Sequence, residues 1–329
     1  MDESTTDKFN AATMPAKAIP PARDRLQSRL LVWTVMPLLF VLDAVRSVAL
    51  MVHAPRLHTV VFESVGFSTC LALLAWRLKA ATLPAALSGG VICLSLLYGT
   101  QAYRTPLTHS ALIPLVELFV LTFLATRAGR NRKTATGLAE SRLGRTTSQV
   151  VANLGFAALL AVPLTLIAVC VWRVWPRPFI GLLWPQPTAQ SISLMINIGV
   201  IAALAEATAD TVSSEIGQAF GLTPILLTTL RPVPPGTDGA ISFNGTLAGI
   251  AAAVIIAATG APTLGLDAHQ CILALTAAVA GLFFDTLLGA TLERRGFIGN
   301  DLVNFASTAF SAAVAIALGV QALTTYTNR

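Results

Sequence analysis

The sequence is short of charge. Asp, Glu, Lys and Arg make up 12% of its 329 residues, about half the share of an ordinary soluble domain. Hydrophobic residues reach 54% and mean hydropathy is +0.70. Such a chain could not cover a water-facing surface, so most of it must face lipid. Cysteine and histidine are scarce, with 4 of each. Cys70, Cys93, Cys170 and Cys271 sit singly in apolar stretches, which argues for buried free thiols and against a disulfide framework or a thiolate metal site. No Gly-x-Ser-x-Gly, His-Glu-x-x-His, Cys-x-x-Cys or Gly-Lys-Ser/Thr string occurs. That removes the nucleophile elbow, the zincin helix, the dithiol redox motif and the Walker A loop. A period-2 alternation is also absent, which leaves out a membrane barrel.

What is present is a series of long apolar runs. Residues 30–52, 59–76, 81–100, 107–126, 149–172, 191–210, 242–264, 268–289 and 302–323 each approach the roughly 20 residues needed to cross a bilayer. A lipid-exposed backbone must satisfy its own hydrogen bonds, so these runs are helices. The reading is an all-α, polytopic helical membrane protein of about nine transmembrane helices. Residues 1–29 are polar, contain Pro15, Pro20 and Pro21, and lack a signal peptide's apolar core; they read as a flexible cytoplasmic tail. With the N-terminus inside, 16 Lys and Arg fall in cytoplasmic segments and 5 on the other side. The positive-inside rule therefore supports a cytoplasmic N-terminus, and the expected location is the inner (cell) membrane of a bacterium. Three polar loops, 127–148, 211–241 and 290–301, then share the cytoplasmic face.

Polar chemistry concentrates on that face. Glu206 and Asp210 are four apart at the end of the sixth span and share one helix side, where like charges repel unless a cation or proton lies between them. Glu215 follows, with hydroxyls at Thr211, Ser213 and Ser214. Carboxylates and hydroxyls held together suit Mg²⁺, which takes one or two carboxylates plus substrate phosphates. The loop continues as RPVPPGTDGAIS, residues 231–242. Its prolines stiffen it, Gly236 and Gly239 permit sharp turns, and Arg231, Thr237, Asp238 and Ser242 offer donors and a further ligand. It leads into the start of the seventh span, where free N–H groups make an anion site. At the end of the eighth span stands FDTLLGAT, residues 284–291. Asp285, Gly289 and Glu293 share a face if the helix continues. Asn300 and Asn304 flank the start of the ninth span. The Asp-Thr pair at 210–211 recurs at 285–286, which hints at a parallel repeat of two hairpins. Arg145 and Lys133 stand out as phosphate candidates in a basic loop whose remaining charge mostly enforces topology. Asp43 and Arg46, inside the first span, are read as partners of each other.

At these motifs the chain resembles the integral membrane family known as "domain of unknown function ninety-two". ADTVSSEIG, RPVPPGTDGAISFNGTLAG, FDTLLGATL and NDLVNF carry the resemblance, which extends upstream through TFLATRAGRNRK and GRTTSQVVANLG. It covers roughly residues 75–320, so the chain divides into a tail (1–29), two N-terminal helices outside the main resemblance (30–80) and the family membrane domain (81–325). The family includes the plant chloroplast phytyl-phosphate kinase. The resemblance implies transfer of a phosphoryl group from a nucleoside triphosphate, CTP or another, to an isoprenyl monophosphate, with the carboxylates above expected to bind Mg²⁺ as cofactor. Asp210, Glu215 and Asp285 are then the expected catalytic metal ligands. Arg231, Gly236, Thr237, Gly239 and Ser242 would hold donor phosphates, while Arg145, Asn153, Asn300 and Asn304 would position the acceptor phosphate or the nucleotide. Ser214, Asp238, Gly289 and Thr291 complete the expected phosphate-binding set. The lipid bilayer is the remaining partner, and no nucleic acid is expected. Two rivals use the same parts: a nucleotidyltransferase making an activated lipid, and an ion-coupled transporter of an anionic solute. Acids gathered at one membrane edge favour interfacial chemistry over a transporter's midplane site.

Overall fold

The computed structural model describes residues 19–53, 58–101, 105–139, 141, 143–162 and 189–327. The helices are α1 (Pro21–His53), α2 (His58–Arg77), α3 (Leu83–Thr100), α4 (Leu112–Arg127), the short α5 (Arg130–Ala135), α6 (Thr147–Ala161), α7 (Ala189–Phe220), α8 (Phe243–Thr263), α9 (Ala268–Leu288) and α10 (Asn300–Thr327). A two-stranded hairpin, β1 (Ile225–Leu226) against β2 (Ala240–Ile241), lies between α7 and α8. The protein is an all-α polytopic membrane protein. Among the described residues, α1, α2, α3, α7, α8, α10 and the stretch Ala268–Glu293 are long and apolar enough to cross a membrane.

The element bounds depart from the sequence expectation in four places. The fourth run is helical only from Leu112, because residues 107–111 form a turn after Pro106 that docks on α3, where Thr100 Oγ1 accepts from the Ala111 N–H at 2.8 Å. Of the fifth run, Thr147–Ala161 is helical, and 163–172 lies outside the described residues, as does Cys170. Residues 21–29, read as tail, form the first turns of α1; they are held by loop 294–299, where Arg23 donates to Gly296 O (3.1 Å) and Gln27 to Phe297 O (2.9 Å), and by Asp301 at the start of α10, which accepts from Ser28 (2.6 Å). Finally, α7 runs ten residues past the expected end, to Phe220.

That extended α7 is the centre of the bundle. It packs against α4, α6, α8, α9 and α10, and 72% of its most apolar window is buried, against 17% for α1 and α2. The outer faces of those two helices expose Trp33, Phe40, Val45 and Phe62, as lipid-facing surfaces do. Small residues let α8 approach α7 to backbone contact. A Cβ on Gly245 or Gly249 would fall 2.6 Å from the carbonyl oxygens of Ser213 or Ala209, the close-packing device of membrane helices. Asp43 and Arg46 act on each other through their charges, as expected, without a contact ion pair. Asp43 is buried and accepts from Ser95 Oγ at 2.6 Å, while Arg46 lies over the Tyr98 ring at 5.5 Å. Cys93 is buried as expected, but Cys70 faces outward on α2.

Candidate functional site

Five helix ends and the hairpin converge on one face of the bundle. Thr146 starts α6 with a capping box, its side chain accepting from Gln149 N while Gln149 accepts from Thr146 N; this satisfies end N–H groups and fixes the first turn. Ser242 caps α8 by accepting from Gly245 N at 3.2 Å. Past Leu288, α9 continues through a π turn, Gly289–Glu293, a form that concentrates at functional sites. That continuation puts Asp285, Gly289 and Glu293 on one face, as their spacing requires.

Between these elements is a polar cavity of about 310 Å³. The last three turns of α7 line it with Asp210, Ser213, Ser214 and Gly217, positions on one helix face. Glu215 also reaches it. Across from α7 stand Asp285 and Thr286 of α9, then Gly289 and Glu293 of the π turn. The hairpin contributes Gly236, Thr237, Asp238, Gly239 and Ser242; α6 gives Asn153, α10 gives Asn300 and Asn304, and Arg145 enters from the preceding loop. The two Asp-Thr pairs thus meet across a shared space rather than at separate depths. Asn304 Nδ2 donates to Asn153 Oδ1 at 3.4 Å, and Asn153 Nδ2 donates to Gln149 O at 2.8 Å. Asp285 is aimed by α10, accepting from Ser307 Oγ at 3.1 Å.

Two expected residues stand outside. Arg231 is exposed in the hairpin's loop and does not line the cavity, since β1 pairs with the backbone beside it. Thr291 bonds back into its own helix, donating to Leu287 O at 2.6 Å. Lys133 is a correction of a different kind. It is buried at 1% exposure and holds Glu215 Oε2 at 2.5 Å while donating to Ala125 O and Thr126 O at the end of α4. It therefore neutralises Glu215 and caps α4, and neither group is turned wholly to a ligand.

Glu206 carries more weight than its spacing from Asp210 alone suggests. It is 1% exposed and neither carboxylate oxygen has a hydrogen-bond partner among the described residues. Its charge acts on both Asp210 and Asp285. Gly281 makes room for it, because a Cβ there would lie 2.6 Å from Glu206 Cγ. The glycine gap on α9 is visible in the sequence, but nothing there says which side chain fills it.

The electrostatic balance is acidic. Asp210, Glu215, Asp238, Asp285 and Glu293 line the cavity, and Arg145 is the only Lys or Arg that does so among the described residues. Arg145 is near enough for its charge to act on Asp210. Burial pushes the Asp238 carboxyl above its usual range, with Arg294 opposing the shift. Among the described residues no three Asp, Glu, His or Cys side chains form a ready metal cage. Asp210 and Asp285 remain as a facing pair, the number Mg²⁺ uses when phosphates complete its shell.

Gly239 fixes the hairpin against the π turn. Its φ is +71°, and a Cβ would lie 2.1 Å from Ala290 N. Gly239→Ala is expected to push the hairpin off the cavity and lower any turnover the cavity supports about 100-fold, the scale of a displacement near 1 Å. Turnover per folded molecule checks this.

A second, apolar cavity of about 150 Å³ adjoins the first and shares Arg145 and Asn153 with it. It lies among α2, α3, α4 and α6, with Lys79, Arg127 and Arg130 at its rim.

Residues 66–312 match the family described as integral membrane protein DUF92. The chain belongs to this family. Relatives include "Protein VTE6, chloroplastic" of Arabidopsis thaliana, 31% identical over 74% of this chain and 68% of that protein. "Uncharacterized membrane protein sll0875" of Synechocystis is 31% identical over 62% of this chain and 72% of its own length. "Uncharacterized membrane protein MJ0933" of Methanocaldococcus jannaschii is 33% identical over 60% and 71%. No solved structure matches the chain. The family match runs from within α2 through α9 and into α10, while α1, which holds the loop before α10, precedes it.

Proposed function

We propose that the protein is a membrane-embedded prenyl-phosphate kinase, transferring the terminal phosphoryl group of a nucleoside triphosphate to an isoprenyl monophosphate. The observation that carries this reading is the junction of an acidic, hydroxyl-rich cavity with an apolar one at Arg145 and Asn153. A substrate with an anionic head and an apolar tail fits such a junction. Membership of a family that includes a phytyl-phosphate kinase supports the reaction class. The excess of Lys and Arg on the loop face supports a cytoplasmic site, where nucleotides are available.

An acceptor phosphate is already ionised near neutral pH, so no strong general base is needed. Rate enhancement comes from positioning and charge neutralisation. Arg145, Asn153 and Asn304 hold the acceptor phosphate at the junction. Gly236, Thr237 and Ser242, with the first N–H groups of α8, hold donor phosphates. An acceptor oxygen forms the new P–O bond as the bond to the leaving nucleoside diphosphate breaks. With Glu215 neutralised by Lys133, Asp210, Asp238, Asp285 and Glu293 still outnumber Arg145 and would repel a bare polyphosphate, so the donor would enter with a divalent cation. Asp210 and Asp285 would hold Mg²⁺, which would supply that neutralisation. Glu215 is a weaker ligand than expected because Lys133 occupies it.

Product analysis tests the reading. Purified protein incubated with farnesyl and phytyl phosphates, Mg²⁺ and each nucleoside triphosphate is expected to yield prenyl diphosphate and nucleoside diphosphate in equal amounts. Release of pyrophosphate with a nucleotidylated lipid identifies a nucleotidyltransferase instead. Absence of turnover with every pair contradicts both.

A further inference from the structure

We infer that the apolar cavity takes the first one or two isoprene units of the acceptor and leaves the rest of the tail in the bilayer, so the enzyme does not select chain length. This rests on the proposed kinase reading and goes beyond it by placing the tail and setting what is discriminated.

Size decides the point. The cavity, open along one side as a groove, offers about 150 Å³. An enclosed apolar space of roughly that volume holds a benzene-sized molecule, little more than one five-carbon unit. A farnesyl or phytyl chain has three or four such units and cannot be contained. Its lining is apolar and aromatic near the head, with Ala86 and Gly89 of α3 facing Phe119 and Phe123 of α4. Neighbouring Leu73, Leu83, Leu87 and Leu124 on α2, α3 and α4 are exposed on the bundle surface, which supplies a lipid-facing path for the remaining chain.

Charge fixes the direction in which the substrate lies. Lys79, Arg127, Arg130 and Arg145 all stand at the loop end of the groove. Arg127 joins the ends of α4 and α2, donating to Leu78 O at 2.8 Å while its guanidinium sits 3.5 Å from the centre of the Phe123 ring. This rim attracts an anionic head, and it also ties α2 to α4 on the loop side. Access for an amphiphile is therefore sideways, from the bilayer. Recognition falls on the head and the unit beside it.

Two measurements separate this inference from the kinase reading. With the full-length protein in nanodiscs, kcat/KM for geranyl, farnesyl, geranylgeranyl and phytyl monophosphates is expected to agree within about threefold; a step of about tenfold or more between neighbouring lengths overturns the inference. Gly89→Phe fills the groove: Gly89 lines it, and a Cβ there makes only ordinary contact with Val150 Cγ1 at 3.7 Å, so a larger side chain starts without a clash. It is expected to raise KM about tenfold or more for every length alike while nucleotide binding by calorimetry persists, showing a folded protein. An unchanged KM overturns the groove assignment. Independently of turnover, an alkyl phosphate with a diazirine near its head is expected to label α3 and α4 residues of the groove. Labelling confined to other helices overturns the placement, and absence of transfer with correct labelling faults the kinase reading alone.

Discussion

Asp210→Asn is expected to lower phosphoryl transfer by about 100- to 1000-fold, the scale seen when a group that stabilises developing charge is lost. Asp285→Asn should match it, because the two carboxylates act on each other across one cavity and serve as a pair. The change is isosteric and Asp210 has no ion-pair partner within salt-bridge distance among the described residues, so the protein should remain folded in the membrane. Turnover normalised to folded protein, with Mg²⁺ titrated, checks both variants. A raised Mg²⁺ requirement identifies the lost group as a ligand. Unchanged turnover in either variant removes that residue from the role.

Lys133→Met should have the largest effect on stability. The substitution strands Glu215 as a buried carboxylate and leaves Ala125 O and Thr126 O at the end of α4 without their donor. Breaking a buried ion pair from one side costs about 3–5 kcal/mol. Replacing both partners is far milder, since neither charge is then left alone. Lys133→Met with Glu215→Leu should therefore recover most of the loss in denaturant unfolding. The double variant also asks whether Glu215 touches the chemistry. Retained transfer in a refolded double variant assigns Glu215 to structure, whereas a loss of about 100-fold restores it to the site.

Much of the site was legible in the sequence because polar residues are rare in an apolar chain. Asp210, Asp285 and the glycine-bordered hairpin are conspicuous where lipid-facing residues surround them, and helical spacing already placed Asp285 with Glu293. The Asn153–Asn304 contact joins residues 151 apart, which no local pattern encodes. Arg231 was misplaced for a related reason: its chemistry suits phosphate, but strand pairing of its neighbours turns the loop outward. Lys133 and Glu215 each looked like a ligand in isolation. Only the packing of α5 under α7 shows that they satisfy each other. Helix ends were also hard to read. The last ten residues of α7 carry Ser, Gln and Gly among their apolar positions, and their helicity depends on contact with α8 rather than on hydropathy.

The central claim is that acids from α7 and α9, asparagines from α6 and α10 and the hairpin surround one phosphate-binding space. A structure determined with Mg²⁺, a non-hydrolysable nucleoside triphosphate and an alkyl monophosphate tests it most directly. The account predicts donor and acceptor phosphates between Asp210, Asp285, Asn153 and Asn304, with the alkyl chain leaving past Arg145 between α3 and α4. Phosphates bound anywhere else on the bundle would contradict it.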